Sequence, residues 1–250
     1  MAEAGLWTGT ELLLWDLDHP QAAPQSMTLP QGLAEDTRPS LIAGAKTPPR
    51  SLPCTALPES VPDGTIPPLT QTNPLTVTHG EEVAMAGFIA LNPKFDGILC
   101  LPGAQSTLWT HVSAEEIVSM RRFLTGAMVS SALDVGLTLT DEDAFKDALS
   151  DTMSRPENAA MRLASAQAEM SQNEMSKAEA ASLATAALIG AELAATRAYW
   201  LGQSVALIGA AETCAPYRIA LDSQFVPFIA ANEAAMYRAG FQLAQDRITG

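Results

Sequence analysis

Apolar and polar positions fall into three regimes along the chain. Residues 6–17 (LWTGTELLLWDL) set two short apolar runs on either side of Thr8-Gly9, which predicts a hairpin or strand pair turning at that dipeptide. Between 18 and 74 the regularity is lost, and twelve of the chain's 17 prolines fall there. Proline removes a backbone donor and disfavours helix at the preceding residue, so long regular elements are not expected in this stretch. Only SLIAGA (40–45) reads as a buried strand within it.

Beyond Pro74 the pattern is regular again. Residues 78–91 predict a turn and then a helix, with Glu81-Glu82 in its first turn, where acidic groups suit the helix dipole. GILCLP (97–102) is a continuous apolar run of the kind a buried strand shows, and 107–112 reads as its hairpin partner. Residues 114–133 leave two readings open. One is a helix from Ala114; the other is a strand at 117–124, a turn at Thr125-Gly126 and a helix from Ala127. The span 141–200 is helix-rich, and its last helix opens with Ser176 and Glu179 at capping-box spacing. Strand 203–209, helix 211–222, strand 225–230 and helix 232–246 follow. This alternation predicts an α/β layer with a largely parallel sheet, and no internal repeat is visible.

Length and composition add limits. With 250 residues, 47% of them hydrophobic, the chain can build one large domain or two modest ones. A net charge of -14 and a pI near 4.5 argue against a nucleic-acid partner or an anionic membrane surface. Cys54, Cys100 and Cys214 are too few and too widely spaced for a disulfide framework or a zinc pattern, and they read as thiols in a reducing compartment. No cationic region precedes the N-terminal apolar run, which Glu11 interrupts, so a secretory leader is not expected. A cytoplasmic location is the expectation, with a homo-oligomer left open.

The chemistry-bearing residues exclude several classes. There are three histidines, no serine in a GxSxG setting, no GxGxxG and no GxxxxGK[ST]. What remains are glycines closing apolar strands: Gly103 after ILCLP and Gly209 after VALI. Such a glycine lets backbone approach a phosphate at a helix N-terminus, or simply makes a strand-to-helix turn.

Several segments, in order, resemble the 2-dehydro-3-deoxygalactonokinase family of sugar-acid kinases. ALIGAELAATRAY (187–199) is similar to a near-identical family helix. HGEEVAMAGFIAL (79–91) resembles its RGEE helix start, and ILCLPGAQSTLW (98–109) its second phosphate loop. RRFLTGAM (121–128) resembles an F-x-T-F-M-T-G-E segment, and VALIGAAETCAPY (205–217) the strand-turn-helix that holds adenosine. The resemblance implies an actin/hexokinase-like (ribonuclease H-like) duplicated α/β fold. Its first domain, 1–96, would be reduced and would contain the proline-rich segment 18–74; the second would be a nucleotide-binding-type domain, 97–250. It implies ATP and Mg²⁺ as cofactors and 2-dehydro-3-deoxy-D-galactonate, a small sugar acid, as substrate. Carried across, the phosphate and nucleotide site comprises Thr8, Gly9, Thr10, Gly103, Gly209 and Ala210. His79 and Gly126 would contact substrate, and Glu81 or Glu82 would bind sugar hydroxyls or serve as general base. The metal ligands are left unassigned.

The sequence departs from that family where phosphate is handled. At the first loop the family reads D-W-G-[ST]-[ST]-N-L-R-x-W. Here Leu6 replaces the acidic residue, Glu11 the Asn and Leu13 the Arg, while Trp7 and Trp15 keep their spacing. Ala127 stands where the family has Glu, and His79 where it has Arg. Phosphoryl transfer depends on positioning and charge stabilisation, so a catalytically inactive paralogue that binds a sugar acid or a partner is the alternative.

Overall fold

A computed structural model describes residues 3–34 and 37–248. Among the described residues the chain is mixed α/β with three sheets, and it divides into two compact units. The first takes the described residues up to Asp96 together with 111–120 and those from Ala231 on; the second takes 97–110 and 121–230. The chain therefore crosses between units after 96, 110, 120 and 230.

In the first unit, β1 (Glu3–Trp7) and β2 (Glu11–Asp16) form the expected antiparallel pair, closed by a 2.9 Å bond from Thr8 N–H to Glu11 O. Leu6 lies opposite Leu13, and Ala4 opposite Trp15. β3 (Gln25–Thr28) joins β2 antiparallel and β4 (Leu41–Ala43) joins β1 in parallel, giving the order β3-β2-β1-β4. β4 is the strand expected from SLIAGA. β3 corrects the expectation that nothing else in 18–74 is strand: its four residues are all exposed, so the ladder to β2 holds it and no apolar pattern announces it. β5 (Arg50–Ser51), β7 (Leu69–Thr72) and β8 (Leu75–Val77) make a small sheet, and β6 (Cys54–Thr55) pairs with residues 116–117. These too are short, as the prolines require.

α1 (Glu81–Leu91) packs on the last helix, α8 (Glu233–Asp246). Two glycines permit a backbone-close approach: a Cβ at Gly87 would lie 2.0 Å from Met236 O, and one at Gly240 1.9 Å from Val83 O. Trp15 stacks against Tyr237 and Phe241 at 5.4 Å and donates from Nε1 to Ala234 O at 3.1 Å, which ties β2 to α8.

A six-stranded sheet runs β13 (Phe228–Asn232), β12 (Val205–Gly209), β9 (Gly97–Pro102), β10 (Thr107–Ser113), β11 (Glu116–Phe123) and β6. β12 lies parallel to β9, with Val205 opposite Ile98. The ambiguity at 114–133 resolves as a strand followed by a helix, since Ala114 and Glu115 take positive φ values of 51° and 66° that no right-handed helix start allows; the turn expected at Thr125-Gly126 is instead the first two residues of the helix, which starts at Thr125 and not at Ala127. β13 begins three residues later than expected, after Phe225 turns with φ 56° and Pro227 interrupts.

The helices are α2 (Thr125–Leu133), α3 (Glu142–Ser154), α4 (Ala159–Ser171), α5 (Lys177–Ala195), α6 (Arg197–Trp200) and α7 (Ala211–Ser223), with a 3₁₀ turn at Pro156–Asn158. Ser176 and Glu179 form the anticipated capping box of α5. By length and composition α5 could cross a membrane, but 67% of its apolar stretch is buried within the structure, as a core helix is. Trp109, Phe145, Ile189, Leu207 and Tyr217 meet in the core of the second unit.

Candidate functional site

Parallel strands in α/β sheets present ligands at their carboxyl ends. In the first unit those ends are Trp7 of β1 and Ala43 of β4, and Gly44 follows. A Cβ on Gly44 would lie 2.1 Å from Trp7 O and 3.3 Å from His79 O; one on Gly80 would lie 3.7 Å from Gly44 N. Two strand ends and the start of α1 thus meet at backbone distance. Gly44 and Gly80 both hold left-handed φ values, 77° and 108°.

Around this point stand several residues expected at the site. Thr8, Gly9 and Thr10 are exposed, and Thr8 Oγ1 bonds to Glu11 O at 3.1 Å, closing the turn on itself. His79 is exposed, and its N–H donates to Glu81 Oε2 at 2.5 Å. Gly80 N–H donates to Glu82 Oε2 at 3.1 Å. Glu82 itself is fully buried, and its Oε1 has no hydrogen-bond partner. Burial pushes its carboxyl up to about 7, the Thr78 hydroxyl opposing and the charge of Glu81 adding to the shift. Glu81 is half-buried. Burial, and then the nearby charge of Glu81, raise Glu233 at the first position of α8. Glu233 was not singled out from sequence; nothing local marks it, because only the packing of α8 on α1 puts it within reach of the Glu81 charge.

The hydrophobic substitutions in the first loop also have places. Leu6 is buried beneath Gly80, and Leu13 is half-buried. Asp16 accepts from Asp18 N–H at 3.0 Å and bonds to His19 Nδ1 at 2.7 Å, which lowers its pKa.

In the second unit the parallel strand ends are Pro102 of β9 and Gly209 of β12. The turn at 103–106 closes with Gly103 N–H donating to Ser106 O at 2.9 Å, and Arg122 Nη1 donates to Ser106 Oγ at 2.7 Å. A Cβ on Gly126 would fall 2.1 Å from Ala104 O, and one on Gly209 3.0 Å from Pro102 O. Gly103, Gly126, Gly209 and Ala210 are therefore brought together. α2 and α7 both start here, and neither N-cap, Leu124 or Ala210, supplies a capping side chain. Their first-turn N–H groups suit an anionic ligand.

Behind these turns lies a buried cluster that the sequence reading did not identify as functional. Glu192 accepts from Trp109 Nε1 at 2.6 Å, from the Tyr217 hydroxyl at 3.0 Å and from the Thr125 hydroxyl. Burial pushes it up to about 7 against those three bonds. Its only signal was its place in LIGAE, the segment with the strongest resemblance.

Among the described residues, no group of three or more His, Cys, Asp or Glu could hold a metal ion. Mg²⁺ accompanying a nucleotide needs only one or two carboxylates besides phosphates and water.

Comparisons with known proteins give the family and a likeness of fold. A crystal structure of a candidate 2-dehydro-3-deoxygalactonokinase from Sinorhizobium meliloti superposes with a TM-score of 0.77 at 23% identity, covering 99% of each chain, which establishes the likeness of fold. Component A of the Acidaminococcus fermentans (R)-2-hydroxyglutaryl-CoA dehydratase aligns at a TM-score of 0.43 and 8% identity, over 97% of this chain and 95% of that one. No curated protein matches the sequence. The profile of the 2-keto-3-deoxy-galactonokinase family matches residues 37–244. The chain belongs to the 2-keto-3-deoxy-galactonokinase family of sugar-acid kinases.

Proposed function

We propose that the chain transfers the γ-phosphoryl group of ATP to the terminal hydroxyl of 2-dehydro-3-deoxy-D-galactonate, a small sugar acid, in the cytoplasm. The observation that carries this reading is the clustering of glycines at the carboxyl ends of both parallel strand pairs, β1/β4 and β9/β12. The order β3-β2-β1-β4 and the run β11-β10-β9-β12 within β6-β11-β10-β9-β12-β13 both place the third, second, first and fourth strands side by side, which supports a duplicated actin/hexokinase-like fold.

Within this reading the turn at 103–106 and the starts of α2 and α7 hold the nucleotide through their backbone N–H groups. Bound Mg²⁺-ATP supplies the phosphoryl group and neutralises its charge. Glu81, half-buried at the start of α1, takes the proton of the attacking hydroxyl, and the exposed His79 ahead of it contacts the sugar acid. Glu82, enclosed and bonded to Gly80 N–H, holds the start of α1 in place.

A second reading has its own observation. Leu6 fills the space under Gly80 where the family places an acidic residue, and an inactive paralogue would tolerate this. An ADP-release assay with Mg²⁺-ATP and the sugar acid separates the two. Turnover that Glu81→Gln lowers by about 10²–10⁴ supports the kinase. Calorimetric binding of the sugar acid without any turnover supports the paralogue and sinks the kinase.

A further inference from the structure

Glu192 is 2% exposed on α5, yet donors from three other elements converge on its carboxylate. Trp109 of β10 donates to Oε1, while Tyr217 of α7 and Thr125 of α2 donate to Oε2. The Tyr217 hydroxyl is bonded in turn to Thr107 at the start of β10. Each of these elements begins at one of three neighbouring points: the turn at 103–106 leads into β10, Thr125 and Gly126 open α2, and Gly209-Ala210 leads into α7.

We infer that Glu192 is a positioning residue, whose carboxylate fixes the turn at 103–106 and the starts of α2 and α7 in the one arrangement that receives a phosphate-bearing ligand. This rests on the proposed nucleotide role of the second unit. With the Thr125 hydroxyl anchored, Gly126 backs onto Ala104 O, and Ala127 N–H reaches Gln105 O at 2.7 Å. A slip at Thr125 therefore moves the turn at 103–106 directly. The chemistry requires a carboxylate: two oxygens accept three donors, whereas an amide has one acceptor and would turn an N–H toward a donor. The titratable groups facing Glu192 are Tyr217 and Cys100, with Cys214 beside Cys100. Burial first, and then the Glu192 charge, raise both Tyr217 and Cys100, so they stay neutral and the carboxylate is held by dipoles.

Hydrogen exchange of the ligand-free protein, paired with calorimetry using Mg²⁺-ADP, tests this in Glu192→Gln and Thr125→Ala. In both variants the Ala127 and Gly103 amides are expected to exchange roughly tenfold faster while β9 and β12 amides keep their rates, and ADP to bind roughly tenfold more weakly, as loss of charge-assisted bonds predicts. Acceleration spread uniformly over the unit, or none, would overturn the inference; so would unchanged ADP affinity. If the parent protein itself fails to bind ADP, the proposed function falls and the exchange pattern alone decides the role of Glu192. Should Glu192→Gln not fold, Thr125→Ala carries the same test with one donor removed.

Discussion

Leu6 lies directly beneath Gly80: a Cβ at Gly80, whose φ is 108°, would stand 2.1 Å from Leu6 Cδ1. The packing of an apolar side chain and the left-handed turn that starts α1 are thus one feature. Gly80→Ala would add backbone strain to that clash and is expected to cost about 1–3 kcal/mol in urea unfolding. Leu6→Asp, which restores the family's residue type, would place a carboxylate at a site 6% exposed, without a built partner. It is expected to destabilise the fold by at least about 2 kcal/mol. A stable Leu6→Asp variant that turns over ATP faster than its parent would overturn this account of the position.

Stability should fall as pH rises through the weakly acidic range. Glu82 and Glu192 are both raised from 4.5 to about 7, so the folded state binds their protons more tightly than the unfolded chain does. That contribution is fully present below about 4.5 and is lost as pH climbs to about 7, at up to about 1.4 kcal/mol per pH unit for each group. Denaturation midpoints measured between pH 5 and 8 should decline in the parent and decline about half as steeply in Glu192→Gln, where Glu82 alone remains. A parent curve that rises over this window would contradict the buried state of both carboxyls.

Arg238 is 9% exposed on α8 and donates to the carbonyls of Asp16 and His19 through Nη1, at 2.5 and 3.3 Å, and to that of Ala22 through Nη2. It fixes the chain leaving β2. Arg238→Ala should cost about 2–3 kcal/mol and open residues 16–24 to proteolysis before the rest of the unit. A digestion pattern unchanged from the parent's would show that the segment is held by other means.

The sequence was most informative where burial and chain geometry coincide. β9, β12 and α5 are apolar almost throughout, and the turn at Thr8-Gly9 carries its own chemistry, so each was read from its residues. The strand at 116–123 needed the family resemblance, because propensity favoured helix and the two positive-φ residues ahead of it, Ala114 and Glu115, are not glycine. β3 was not legible, since exposed QSMT is held by a neighbour and not by its own pattern. At the site, the glycines announced themselves by ending strands. The convergence on Glu192, and the reach of the Glu81 charge to Glu233 across some 150 residues of chain, could not, because no local pattern encodes the packing of distant elements.

The four covalent crossings between the units also govern how the molecule can be made. α1 rests its glycine-lined face on α8, which leaves the ribosome last among the helices, after the whole second unit has been synthesised. The first unit cannot close during translation: its early strands must wait, with the apolar flank of α1 uncovered, until the second unit has emerged. A stop codon anywhere before α8 would therefore strand the nascent first unit half built, in need of a chaperone or a protease.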